Sequence, residues 1–196
     1  MNKRCLAALS TLLLPVLALA QTPLTGTTLL DTIETPPLRW ERMGQYVVYE
    51  DSTVTDSRSR LMWMRCPYGQ LFDVRWGTCT GTAERMIWDE ANALTLDRIH
   101  GHNDWRLPSR DELLALTEGR SGRPPIDRQA FPATPKGPFW SSTPHPDRRF
   151  AAWYVYFDHG GVAAYGRGDY PRYVRLIRTA PPLPGEEQAS PGEGDD

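Results

Sequence analysis

The chain has 196 residues, of which 22 are basic and 24 acidic, and 40% are hydrophobic. That length suits one principal domain. The near-balanced charge names no nucleic-acid partner. There is no Gly-X-Y run and no heptad pattern, so nothing in it makes an oligomerisation stalk, and the oligomeric state stays open.

The first four residues, MNKR, are followed by the apolar run CLAALSTLLLPVLALA. A basic start, a short apolar stretch and small residues at Ala18 and Ala20 predict a secretory signal peptide over residues 1–20. The run is too short for a membrane span, so the mature chain is expected to be exported, periplasmic or secreted, without a span of its own. Loss of Lys3 and Arg4 leaves 20 basic against 24 acidic residues. Five of those acids lie in residues 179–196, a Pro/Gly/Glu stretch expected to stay disordered. The body is then close to neutral, and Lys136 is its one basic residue that is not an arginine. Arginine forks suit bidentate contact with carboxylate, sulfate or phosphate.

Residues 21–44 read as a Thr/Pro-rich lead, and residues 45–178 as the domain. The segments QYVVYE, STVTD and RLMWMRC have the β-branched and aromatic content of short strands. Cys66 and Cys79 then bracket a fourteen-residue loop. Two cysteines in an exported chain are expected to form a disulfide; a metal site would need further ligands that the sequence does not supply. Thr82 is placed to cap a helix in which Ile87, Trp88, Ala91 and Leu94 recur at helical spacing, with Glu84 in the first turn and Gly101 placed as the stop. Pro108 holds Leu107 extended, and Ser109 with Glu112 makes a capping box for a second helix that buries Leu113, Leu114 and Leu116 and stops at Gly119. After a proline-rich connection come FWSST, AAWYVYFD, VAAYG and YVRLIR, four strand candidates, two of them joined through HGG as a hairpin. In AAWYVYFD the alternation puts Trp153, Val155 and Phe157 on one face and Tyr154 and Tyr156 on the other. Two helices and a small antiparallel sheet predict an α+β domain.

The ordered pieces TVTD, LMWMRC, GHNDWRLPSRDELLAL, IDRQAFPATP, FWSST, AWYVYFDHGGV and YVRLIR resemble the Lcl C-terminal domain family, over about Ser52 to Arg178. That bacterial family is named after a collagen-like adhesin and is similar in turn to the C-type-lectin-like group. The resemblance implies two helices packed on a small twisted antiparallel sheet, with loops as the binding face. It also implies attachment to sulfated polysaccharide, although the collagen-like repeats of the namesake adhesin are missing here. The group includes formylglycine-generating enzymes, but this chain has no cysteine after Cys79, which removes the reactive pair that their oxidation chemistry implies.

Other chemistry finds weaker support. His100, His102 and Asp104 have H-x-H-x-D spacing, yet the sequence offers no further ligand for zinc or calcium, and no metal or other cofactor is expected. Asp104 and Arg106 are instead expected to make buried or half-buried hydrogen bonds. Ser141 and Ser142 lie near His145 without a nucleophile elbow, so no catalytic residue is named and the chain is expected not to be an enzyme. The predicted ligand-binding set is Trp140, His145, Arg148, Arg149, Tyr165, Arg167, Tyr170 and Arg172, on the loops at the sheet end. Its aromatic faces suit sugar rings, and its arginines suit anionic groups. The expected partner is a glycan or sulfated polysaccharide, or alternatively an envelope protein.

Overall fold

The structure, a computed structural model, describes residues 38–94, 101–117, 126–167 and 170–186. The predicted signal peptide, most of the lead segment and residues 187–196 of the tail lie outside the described residues.

The fold is mostly β, and the α+β expectation is wrong. Among the described residues twelve strands form three sheets, and two helices of five and six residues complete them. The first sheet contains β1 (Trp40–Met43), β2 (Tyr46–Tyr49), β3 (Thr53–Asp56), β4 (Leu61–Met64) and β12 (Ile177–Thr179), in the order β1-β2-β3-β4-β12. All its pairings are antiparallel. Arg106 extends this sheet by one bridge, since its N–H and C=O exchange hydrogen bonds with Ile177 at 2.9 and 3.0 Å. A small hairpin, β5 (Leu71–Asp73) with β6 (Thr78–Thr80), occupies the cysteine loop. The second large sheet runs β10 (Val162–Gly166), β9 (Ala151–Tyr156), β8 (Pro138–Pro144), β11 (Arg172–Tyr173) and β7 (Arg85–Met86). Its β8–β11 pairing is parallel and the others are antiparallel.

Helix α1 (Trp88–Asn92) is much shorter than the periodicity predicts. Thr82 does not cap it, because Arg85 and Met86 pair with Tyr173 and Arg172 instead. Ile87 is extended, and its N–H donates to the Glu90 carboxylate at 3.2 Å. The helix ends well before Gly101, which sits at φ +77° in a later turn. Helix α2 (Arg110–Ala115) follows its predicted chemistry. The Ser109 hydroxyl accepts from the Glu112 N–H at 3.2 Å, and Glu112 accepts from the Ser109 N–H at 2.7 Å. Leu113 and Leu116 are fully buried, Leu114 only partly. The predicted stop, Gly119, lies outside the described residues.

Strand alternation feeds two apolar cores. Tyr46 and Val48 of β2, Phe139 of β8 and Val155 of β9 join Trp63, Leu113, Phe131 and Ile177 in the first. Their neighbours Val47, Tyr49, Trp140 and Tyr154 join Trp88, Trp105, Leu107 and Leu176 in the second. Successive side chains of a strand point to opposite faces, and here both faces are covered. The run YVRLIR, read as one strand, breaks in two. Tyr173 pairs with Phe139 in the second sheet and Ile177 with Trp63 in the first, so the intervening residues carry the chain between sheets. At that crossing Arg175 is fully buried, and burial pushes its guanidinium down to about 9. It donates to the carbonyls of Met64 and Arg65 and to the Thr134 hydroxyl, which fastens the crossing to the end of β4.

Strand β1 falls within the stretch read as lead, and it is closed onto β2 by a two-residue loop whose Gly44 supplies φ +63°. At the other end, residues 179–186 are ordered, contrary to the expectation for the tail. Leu183 is buried in the second core and Glu186 pairs with Arg60 at 2.6 Å.

Candidate functional site

The predicted binding residues divide into an exposed rim and a buried pair. The rim is built where the β8–β9 connection meets the end of β10. Gly166 pairs with Ala151, which brings residues 145–150 beside Tyr165 and Arg167. Arg167 then ties the two segments together: its N–H donates to the Phe150 carbonyl at 2.8 Å and its Nη2 to the Arg149 carbonyl at 3.0 Å. The same guanidinium lies over the Trp88 ring at 4.6 Å and 3.8 Å from the Asp89 carboxylate. Arg148 and Arg149 are exposed, and Arg149 lies 5.5 Å from the Phe150 ring centre. Tyr165 and Tyr170 meet edge to face at 5.4 Å.

His145 sits at the margin of this rim, stacked on Trp153 at 4.9 Å. Its Nδ1 accepts from the Asp147 N–H at 3.2 Å. Arg110 approaches the Trp153 ring at 5.3 Å, so a histidine, a tryptophan and an arginine gather next to the loop. The sequence reading missed Phe150, Trp153 and Arg110 as members of this surface. Phe150 is the largest omission, since it is 71% exposed. An aromatic at the end of the polar run HPDRR was the available signal.

Trp140 and Arg172 do not belong to the rim. Trp140 is fully buried and donates its indole N–H to the Met86 carbonyl at 2.9 Å. Arg172 is buried over Trp140 and Tyr154, at 4.5 and 4.1 Å, and its Nη1 donates to the Tyr170 carbonyl at 2.7 Å. Arg172 thereby braces the backbone at the exposed Tyr170, while Trp140 ties β8 to β7 and carries the Arg172 guanidinium on its ring.

The disulfide is formed: Cys66 and Cys79 are bonded, with Cα atoms 5.6 Å apart. In the Gly101–Leu116 region Asp104, Arg106, Ser109 and Glu112 make hydrogen bonds within the fold. Asp104 accepts from Arg178 Nε at 2.6 Å, and that bond holds its carboxyl below the usual range. Arg106 makes a fork onto Glu112 at 2.8 and 2.6 Å, which lowers the Glu112 carboxyl in the same way. These bonds are half-buried, since the Asp104 and Arg106 side chains are about half exposed and their partners Arg178 and Glu112 are largely covered. Of the H-x-H-x-D residues, His100 lies outside the described residues. Ser141 is buried, and its hydroxyl donates to the Trp153 carbonyl at 2.9 Å, which is a sheet contact.

Residues 52–178 match the Lcl C-terminal domain. The chain belongs to that family. No curated protein matches the sequence. The matched span of this Lcl C-terminal domain takes in the disulfide, both helices, most of both cores and the rim, while β1 and β2 lie before it and Leu183 after it.

Proposed function

We propose that this Lcl C-terminal domain is an exported, non-catalytic recognition module whose rim binds a glycan bearing anionic groups. The observation that carries the reading is the adjacency of exposed Phe150, Tyr165 and Tyr170 with Arg148 and Arg149, on loops locked together by Arg167. Aromatic faces suit the C–H faces of sugar rings, and guanidinium forks suit sulfate or carboxylate substituents. Trp140 and Arg172 support this surface from beneath and make no ligand contact. Export is supported by the predicted leader and by the disulfide, a bond at home in oxidising compartments. Asp89 and Asp147 stand among the three arginines of the rim, so its charge excess is small. Binding is therefore weak per site and strengthened by repeated contacts along a polymer.

The test is salt-graded retention of the purified protein on immobilised heparin. Retention by the wild type, lost in the double variant Arg148→Ala/Arg149→Ala with an unchanged melting temperature, is the expected result. Indifference of the wild type to heparin, or full retention by the double variant, overturns the reading. One envelope protein recovered in stoichiometric amount, and released by the same double variant, would replace the glycan with a protein partner.

A further inference from the structure

Among the described residues, the large apolar side chains left exposed fall into two groups. Phe150, Val162, Tyr165 and Tyr170 belong to the rim and its strand, whereas Leu38, Trp40, Leu71, Val74 and Trp76 come from the start of β1 and the disulfide hairpin. Between these last two elements lies a cleft of about 460 Å³, whose lining includes Trp40, Val74, Phe72, Glu41, Glu50 and Arg65. A volume of that order suits a small ligand.

Arg65 is the built feature of the cleft. It is only 7% exposed, lies 4.1 Å over the Phe72 ring, and donates from Nε to the Ala130 carbonyl at 3.1 Å and from Nη2 to the Gln129 carbonyl at 2.8 Å. Among the described residues no protein group accepts a hydrogen bond from its Nη1, and the residue lines the cleft. A guanidinium immobilised in this way offers a donor in one direction with little further ordering to undergo. The opposite wall is also fixed. The disulfide anchors the base of the hairpin, and the Asp73 carboxylate accepts from the Arg75 and Trp76 N–H groups to hold its turn.

The charges select the ligand. Glu41 and Glu50 balance Arg39 and Arg65, so the formal charge of the lining is zero. A free anion meets the two carboxylates, and a free cation meets the two arginines. A hydroxyl suits both, because it can donate to a carboxylate and accept from Arg65 Nη1. The half-exposed Trp40 and the exposed Val74 add an apolar platform beside these groups. We propose that this cleft is a second binding site, separate from the rim, for a neutral saccharide ring.

Binding of maltotriose, cellotriose, mannotriose and chitotriose to the purified protein, measured by calorimetry and tryptophan fluorescence with heparin in parallel, tests this. At least one trisaccharide should bind saturably and without salt dependence. Trp40→Ala and Glu41→Gln should each weaken it about tenfold or more, about 1.4 kcal/mol. Arg148→Ala/Arg149→Ala should leave it unchanged. Failure of all four to bind overturns the proposal, as does release of the bound trisaccharide by the rim variant with no effect of Trp40→Ala. The heparin arm reports on the rim alone, so either site can fail without the other.

Discussion

Removal of the Cys66–Cys79 bridge by the double change Cys66→Ala/Cys79→Ala perturbs the one covalent tie between the end of β4 and the hairpin strand β6. The bridge spans a sequence separation of 13. In the chain-entropy account, a closed loop of that size is worth about 3 kcal/mol at 25 °C. Both sulfurs are buried, and Cys79 Sγ approaches the Pro132 carbonyl at 3.4 Å, so the bridge also packs against the segment that follows Phe131. In a domain of this size each kcal/mol moves the midpoint by roughly 2–4 °C, so the double variant should melt about 10 °C lower. Scanning calorimetry without reductant is the assay. Wild-type protein given a strong reductant should fall by a similar amount, and the variant should not respond to reductant. A midpoint within about 2 °C of wild type, or two titratable thiols in the native wild-type protein, would refute the entropic reasoning or the bridge itself.

Two further outcomes follow from the contacts. Asp104 and Glu112 have carboxyls held low by Arg178 and Arg106, so the unfolded chain binds more protons than the folded one as the medium turns acid. Their contribution is present above the ordinary carboxylate range, near pH 4, and is lost as the pH falls toward their lowered values; calorimetry from pH 7 to pH 3 should show this decline, and Glu112→Gln should make it shallower. Trp140→Ala should destabilise by about 3–5 kcal/mol through the cavity it leaves, yet heparin retention per folded molecule should be unchanged; normal stability with binding lost would return Trp140 to the site.

Some features followed from local chemistry alone. Ser109 and Glu112 are three residues apart, and that spacing suffices for the capping box whatever surrounds it. The strands QYVVYE, STVTD and RLMWMRC, and the alternation of AAWYVYFD, were equally local. The first helix failed for the opposite reason. Ile87, Trp88 and Ala91 do have helical spacing, but Arg85 and Met86 gain ladder bonds from Arg172 and Tyr173, which are far away in sequence. A distant partner outweighed a weak local preference. The same limit applied to the rim: Arg148, Arg149, Tyr165 and Tyr170 look no different from Arg172 and Trp140 until burial separates them. The cleft was invisible because Trp40 and Val74 come from unrelated stretches of chain.

The sequence by itself determined the family, the paired cysteines, the second helix and most of the strand positions, because each rests on neighbours in the chain or on a recurring order of residues. Only the tertiary structure decided that the fold is β-rich and that YVRLIR is divided between two sheets. It alone separated arginines that meet solvent from those that brace the interior. Sheet pairing and burial depend on which distant segments approach, and short strands carry too little periodicity to specify those partners.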